Sequence, residues 1–128
     1  MDLNKLTQKS QEAVAAAQSL ASRQNHQQLE VEHLLLALLQ QDGGLVPRLL
    51  GRLEVPVQEL TNQVESELDR FPSVEGEGAE IYLSRRLSKV LEAALQQAKE
   101  LKDDYASVEH LLLAIFEEGG PAGRLLKG

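Results

Sequence analysis

Cysteine and tryptophan are absent from these 128 residues, and only two Phe and two Tyr are present. Without cysteine there is no disulfide, no thiol nucleophile and no thiolate metal ligand, and a reducing compartment, the cytoplasm, is the expected setting. With aromatics at 3% of the chain, the core must be built from Leu, Ala, Val and Ile, a palette that suits helices packed on helices rather than a β-sandwich. No Lys/Arg cluster stands out against a net charge of −7, which argues against nucleic acid and anionic membrane as partners, since both are bound through positive charge. The longest apolar run, Leu34 to Leu39, is far too short to span a membrane. Met1-Asp2-Leu3-Asn4-Lys5 is not followed by the apolar stretch of a secretory leader, so a soluble chain with its natural start is expected.

What is present is enough apolar mass for one domain. Hydrophobic residues make up 42% of the chain, and a chain of this length buries roughly two-thirds of its unfolded surface. The strongest internal signal is a repeat. Val31-Glu32-His33-Leu34-Leu35-Leu36-Ala37 recurs letter for letter as Val108-Glu109-His110-Leu111-Leu112-Leu113-Ala114, an offset of 77 from position 31 to position 108. The same offset maps Leu6 on Leu83, Thr7 on Ser84, Val14 on Leu91, Ala17 on Ala94 and Ala21 on Ala98, so the preceding helix is duplicated too. Arg48-Leu49-Leu50 matches Arg124-Leu125-Leu126 after a slip of one residue, which carries each unit into a third segment.

Apolar spacing predicts helices over about 4–23, 31–41 and 45–53, then one beginning at Val55-Pro56 and stopped by Phe71-Pro72, then 84–101 and 108–118. Pro56 suits a first-turn position. The stretch from Pro72 to Glu80 has no apolar period and two glycines, and is expected to be a solvated linker. The expected architecture is all-α: two tandem four-helix repeats about a pseudo-twofold, repeat one at about 1–71, a linker at about 72–82, and repeat two at about 83–128. Repeat two lacks a fourth helix, which predicts that the parent chain continues past Gly128 and that an apolar face near the C-terminus is under-covered.

Glu32-His33 and Glu109-His110 are the obvious candidates for acid–base or metal chemistry. Neighbours on a helix point about 100° apart, however, and the residues four places either side are Leu29 and Ala37 for His33, and Ala106 and Ala114 for His110. None can complete a helical metal pair, so no metal site is expected. The plain expectation is that each Glu sits in the first turn of its helix, offsetting the dipole, with its His packed beside it. Thr7 and Ser84 are N-cap types at the start of the two long helices. With Glu32 and Glu109, they suggest a small polar pocket within each unit. His26 is expected to be a solvated loop residue. Tyr82 and Tyr105 are expected to close core edges with wet hydroxyls. No Gly-x-x-x-x-Gly-Lys-Ser/Thr loop occurs, and Gly76-Glu77-Gly78 lies in an acidic stretch that would repel phosphate, so the chain is not expected to be an enzyme or to hold a cofactor.

Two copies of a unit with a Glu-His-Leu-Leu-Leu-Ala box, each with Thr or Ser opening the preceding helix, resemble the amino-terminal repeat domain of the Clp ATPases. The resemblance covers essentially the whole chain. Leu6-Thr7, Ala17-Gln18-Ser19-Leu20-Ala21 and Phe71-Pro72-Ser73-Val74-Glu75-Gly76 followed by Ser84 resemble the ClpB-type disaggregase branch more than its protease-coupled relatives. The resemblance implies a domain tethered to a homohexameric ATPase, which would use ATP and Mg and thread aggregated polypeptide, in possible cooperation with a DnaK-type chaperone system. It ties Thr7, Asp103 and Glu109 to handling of aggregated protein. It also implies an apolar groove at Ala93, Gln97 and His110, where the family favours larger aliphatics; the departure predicts a shallower, more polar groove here. In the protease-coupled relatives, Thr7, Glu32, Ser84 and Glu109 resemble a pair of sites for arginine-phosphorylated segments. The main expectation is capture of exposed apolar segments of unfolded or aggregated protein. The alternative is a regulatory or adaptor-docking module, the phosphoarginine role included.

Overall fold

The computed structural model describes residues 3–73 and 81–127. Its elements run 3₁₀ turn Leu3–Lys5, α1 Gln8–Arg23, β1 Gln28–Leu29, α2 Val31–Leu39, α3 Leu45–Arg52, α4 Val57–Asp69, β2 Tyr82–Leu83, α5 Arg85–Glu100, α6 Val108–Glu118 and α7 Pro121–Lys127. The fold is therefore all-α, with two strands of two residues each among the described residues. No described helix is long and apolar enough to cross a membrane. Most of the stretch expected to be a linker lies outside the described residues.

The helix boundaries follow from capping. Thr7 is extended (φ −63°, ψ 163°) and its Oγ1 accepts from the Ser10 amide at 3.2 Å, so α1 starts at Gln8 rather than near residue 4. Ser84 caps α5 in the same way through Leu87 N–H at 3.1 Å. Both long helices end in one device: Asn25 and Lys102, at equivalent positions, take the left-handed conformation (φ 59° and 62°). Behind them His26 N–H reaches Ala21 O at 2.9 Å and Asp103 N–H reaches Ala98 O at 2.8 Å, as in a Schellman motif. Pro56 is the N-cap of α4 rather than a first-turn residue. Gly119 ends α6 with φ 75°, and a Cβ on Gly123 would lie 2.9 Å from Ile115 O, so α7 depends on glycine to approach the end of α6 this closely.

The units are interlocked. Leu6 bridges Ala106, with Thr7 N–H donating to Ala106 O at 3.0 Å, while Leu83 pairs Leu29, with Ser84 N–H donating to Leu29 O at 3.0 Å. Adding the repeat offset converts one pairing into the other. The segment before each unit's first helix thus satisfies the backbone before the other unit's second helix. The exchange continues in the packing, where α3 meets α6 and α7 meets α2. α1 lies on α2, α5 on α6, and α4 on α2 and α7.

Every residue of α2 is buried. α6 carries the same box, but its Leu113 and Phe116 are 46% and 40% exposed where their counterparts Leu36 and Leu39 are 2% and 5% exposed. The described residues contain no counterpart of α4, which packs on α2 in repeat one. The apolar face expected to be under-covered is therefore found on α6. Leu36→Glu is expected to cost at least about 3 kcal/mol of stability by burying an unpaired charge. Leu113→Glu, at the same place in the repeat, should change stability by less than about 1 kcal/mol in urea unfolding.

Candidate functional site

The polar groups of the two repeat boxes meet different fates. Glu32, in the first turn of α2, is fully buried, and its Oε2 faces Arg86 Nη2 at 3.3 Å. Arg86, in the first turn of α5, is held on its other side by Glu118 at the end of α6, with Nε to Oε2 and Nη2 to Oε1 both at 3.0 Å. Glu118 Oε1 also accepts from Gly120 N–H at 3.1 Å. Burial raises the Glu32 carboxyl above its ordinary value against the opposing pull of Arg86, whereas hydrogen bonding to Arg86 lowers that of Glu118. Glu32 Oε1 has no hydrogen-bond partner. This pocket is thus filled by the chain's own guanidinium.

The pocket also differs from the expectation of one per unit. Ser84 lies on the backbone preceding α2, and Thr7 on the backbone preceding α6. The strand exchange therefore groups Ser84 with Glu32 and Thr7 with Glu109, across the units rather than within them. His26 departs further. It is 6% exposed rather than solvated, and its Nδ1 lies 2.8 Å from His33 Nε2. Tyr82 and Tyr105 are about half exposed.

At the other end of the pseudo-twofold Glu109 and Asp103 reach solvent, while His110 stays buried. Glu109 is exposed and accepts from Ser107 Oγ at 2.7 Å. His110 Nδ1 accepts from Ser107 N–H at 2.9 Å, and its Nε2 faces Asp103 Oδ2 at 3.4 Å, with the Asp103 side chain 52% exposed. Together with the Thr7–Ala106 bond, these contacts make a hydrogen-bonded rim containing Thr7, Asp103, Glu109 and His110. Beside it opens a cleft of about 560 Å³ whose apolar floor is Leu95, Ala98 and Ala106 and whose edge carries Lys5, Lys99 and Asp103. Ser107, His110 and Asp103 have the residue types of a nucleophilic triad. His110 Nδ1, the nitrogen nearest Ser107 Oγ at 3.0 Å, is already taken by the Ser107 N–H, and the Ser107 hydroxyl serves Glu109. The arrangement is a helix cap rather than a charge relay. No group of three or more metal-ligating side chains occurs among the described residues.

Ala93 and Gln97 lie on the neighbouring seam between α5 and α6. Ala93 lines a shallow cleft of about 220 Å³ with Val90 and Ala114, and Gln97 Nε2 donates to Glu117 Oε2 at 3.4 Å. Short and polar side chains leave this seam shallow. Arg86, Glu118 and the His26–His33 contact were missed in the sequence because they are tertiary pairings. The one available hint was that three charged or imidazole groups close to α2 needed partners if α2 was to be buried.

Residues 5–128 match the Clp repeat (R) N-terminal domain family. The chain is 44% identical over 128 residues to the chaperone protein ClpB of Bacillus cereus, covering 98% of this chain and 15% of that protein. It is 44% identical over 129 residues to ClpB of Nitratidesulfovibrio vulgaris, again covering 98% and 15%. It therefore spans only a small part of these relatives. Among solved structures, the Hsp104 N-terminal domain from Candida albicans aligns with a TM-score of 0.86 at 25% identity, covering 96% of this chain and 80% of that one. The N-terminal domain of the ClpV1 ATPase from Escherichia coli aligns with a TM-score of 0.82 at 26% identity, covering 90% and 69%.

The ion triad makes a directional prediction. Arg86→Met is expected to cost about 2 kcal/mol near neutral pH, less than for a fully buried pair because Arg86 is partly exposed. Loss of Arg86 raises the Glu32 value further, so the cost should shrink as acid protonates Glu32. The double variant Arg86→Met with Glu32→Gln should recover most of the lost stability, measured by urea unfolding across pH.

Proposed function

The chain belongs to the Clp repeat (R) N-terminal domain family, and we propose that it is the substrate-recognition domain of a ClpB-type disaggregase, engaging exposed apolar segments of unfolded or aggregated proteins. The domain is non-catalytic. Threading by hexameric ATPase modules fuelled by ATP and Mg, and cooperation with a DnaK-type system, belong to the same proposal for the whole protein. So do the unit boundaries near residues 71 and 83.

One observation carries this reading: the cleft floored by Leu95, Ala98 and Ala106 lies beside the rim that contains Thr7, Asp103, Glu109 and His110. Misfolded chains share exposed apolar surface, which suits the floor, while the edge balances Lys5, Lys99 and Lys102 against Glu92, Asp103 and Asp104, so segments carrying charge of either sign find a partner beside it. Ala93 and Gln97 extend the surface along a shallower seam, which supports weak single-site binding strengthened when several tethered domains act together. A receptor with two equal phosphoarginine sites is the weaker reading, because Glu32 already holds Arg86. A regulatory or adaptor-docking role would leave the isolated domain without affinity for unfolded chains.

Fluorescence anisotropy of a permanently unfolded, apolar-rich polypeptide separates these readings. Asp103→Ala and Glu109→Ala should each weaken binding about fivefold, equivalent to about 1 kcal/mol. Glu117→Ala, on the shallow seam, should have a smaller effect. No binding by the unmodified domain would favour the regulatory module, and binding confined to arginine-phosphorylated peptide would favour the receptor.

A further inference from the structure

His26 and His33 form a buried pair whose hydrogen bonding fixes both tautomers. His33 Nδ1 accepts from the Glu30 N–H at 2.9 Å, so its proton sits on Nε2. That N–H donates to His26 Nδ1 at 2.8 Å, which leaves the His26 proton on Nε2. Each ring has one open lone pair, and each lone pair already faces an N–H. A further proton on His33 would meet the Glu30 amide, and one on His26 would meet the His33 N–H. Protonation of either ring therefore breaks a hydrogen bond in a site where His33 is fully buried.

The pair holds something. The Phe71 ring packs on both imidazoles, with centroids 5.5 Å from His26 and 5.8 Å from His33, and His26 forms an antiparallel bridge with Ser73. Phe71 and Ser73 lie just after α4, where the chain leaves repeat one. We propose that the His26–His33 pair is a pH-sensitive lock that seats Phe71 and Ser73 on repeat one when neutral and releases them when protonated.

The surroundings fit a switch rather than an inert pair. Burial and then the neighbouring His26 push His33 down to about 4, and burial also lowers His26, opposed by the Asp69 carboxylate at the end of α4. Glu30, at the N-cap of α2, and Tyr82, of β2, line the same cleft, of about 460 Å³, beside His26. The released state has ordinary imidazoles that protonate near 6.5, so it binds more protons than the locked state between about 6.5 and about 4. The lock is therefore whole above that window and weakens as pH falls through it. Repeat two contains an internal comparison: His110 Nδ1 accepts from the Ser107 N–H at 2.9 Å as His33 Nδ1 does from the Glu30 N–H, but Asp103 stands where His26 would be, and its carboxylate lies 3.4 Å from His110 Nε2. A charged His110 therefore faces a carboxylate where a charged His33 would face a second imidazole.

Amide hydrogen exchange of the whole chain at about pH 7 and about pH 5, corrected for intrinsic rates, reads the lock directly. Protection of the Phe71 amide, which donates to Leu68 O at 3.1 Å, should fall at least tenfold more than that of Asp103 N–H, which donates to Ala98 O at 2.8 Å from the place in repeat two that His26 holds in repeat one. His26→Asn should abolish that difference. Equal falls at the two sites, or a difference that survives in His26→Asn, would overturn the proposal. If that variant does not fold, nitrogen shifts of the unmodified chain decide: a neutral His33 with its proton on Nε2 supports the lock, and one on Nδ1 overturns it.

Discussion

Burying α2 on every side is the constraint on which the rest of this structure depends. A helix of nine residues with no exposed face gains roughly 1.5–3 kcal/mol for each buried Leu, but it also removes Glu32, His33 and its own leading backbone from water. These groups find partners in the chain: Glu32 Oε2 in Arg86, with Oε1 left unpaired, His33 in His26 and the Glu30 amide, and the Leu29 carbonyl in Ser84. Two of these partners come from repeat two. The interlock of the repeats is therefore how the central helix becomes compatible with burial, since unpartnered buried polar groups would each cost a comparable amount.

The duplicated sequence does not give duplicated environments. α6 has the same box as α2, but among the described residues nothing corresponds to α4, and Leu113 and Phe116 are exposed. Glu109 and Asp103 lie at the surface with His110 buried behind Asp103, whereas Glu32, His26 and His33, their equivalents in repeat one, are all internal. The proposed recognition surface lies on repeat two for that reason, with the Thr7 segment of repeat one supplying its edge through the exchanged strand.

Much of this was legible in the sequence. The all-α class, the offset of the repeat, the two N-caps and the open face on α6 all rest on local pattern or on comparing one unit with the other. Asn25 in the left-handed position is the kind of residue expected there, whereas Lys102 is not, and only the equivalence of the units points to it. His26 looked like a loop residue because Asn25, His26 and Gln27 interrupt a helical period. Its burial depends on Phe71, more than forty positions away, and on His33. Arg86 looked like one charge among many at the start of α5. The strand exchange was invisible because pairings of one or two residues leave no periodicity, and it moved the polar pockets from within the units to between them.

The central claim is that two units of one sequence pattern have divided their work, with recognition on repeat two. A residue-resolved NMR titration of the domain with a permanently unfolded, apolar-rich polypeptide tests it most directly. The account predicts saturable shifts at Lys5, Leu95, Asp103, Glu109 and His110, with Glu32, His33 and Arg86 unmoved. Shifts of equal size at the equivalent positions of both repeats, or none in either, would contradict it.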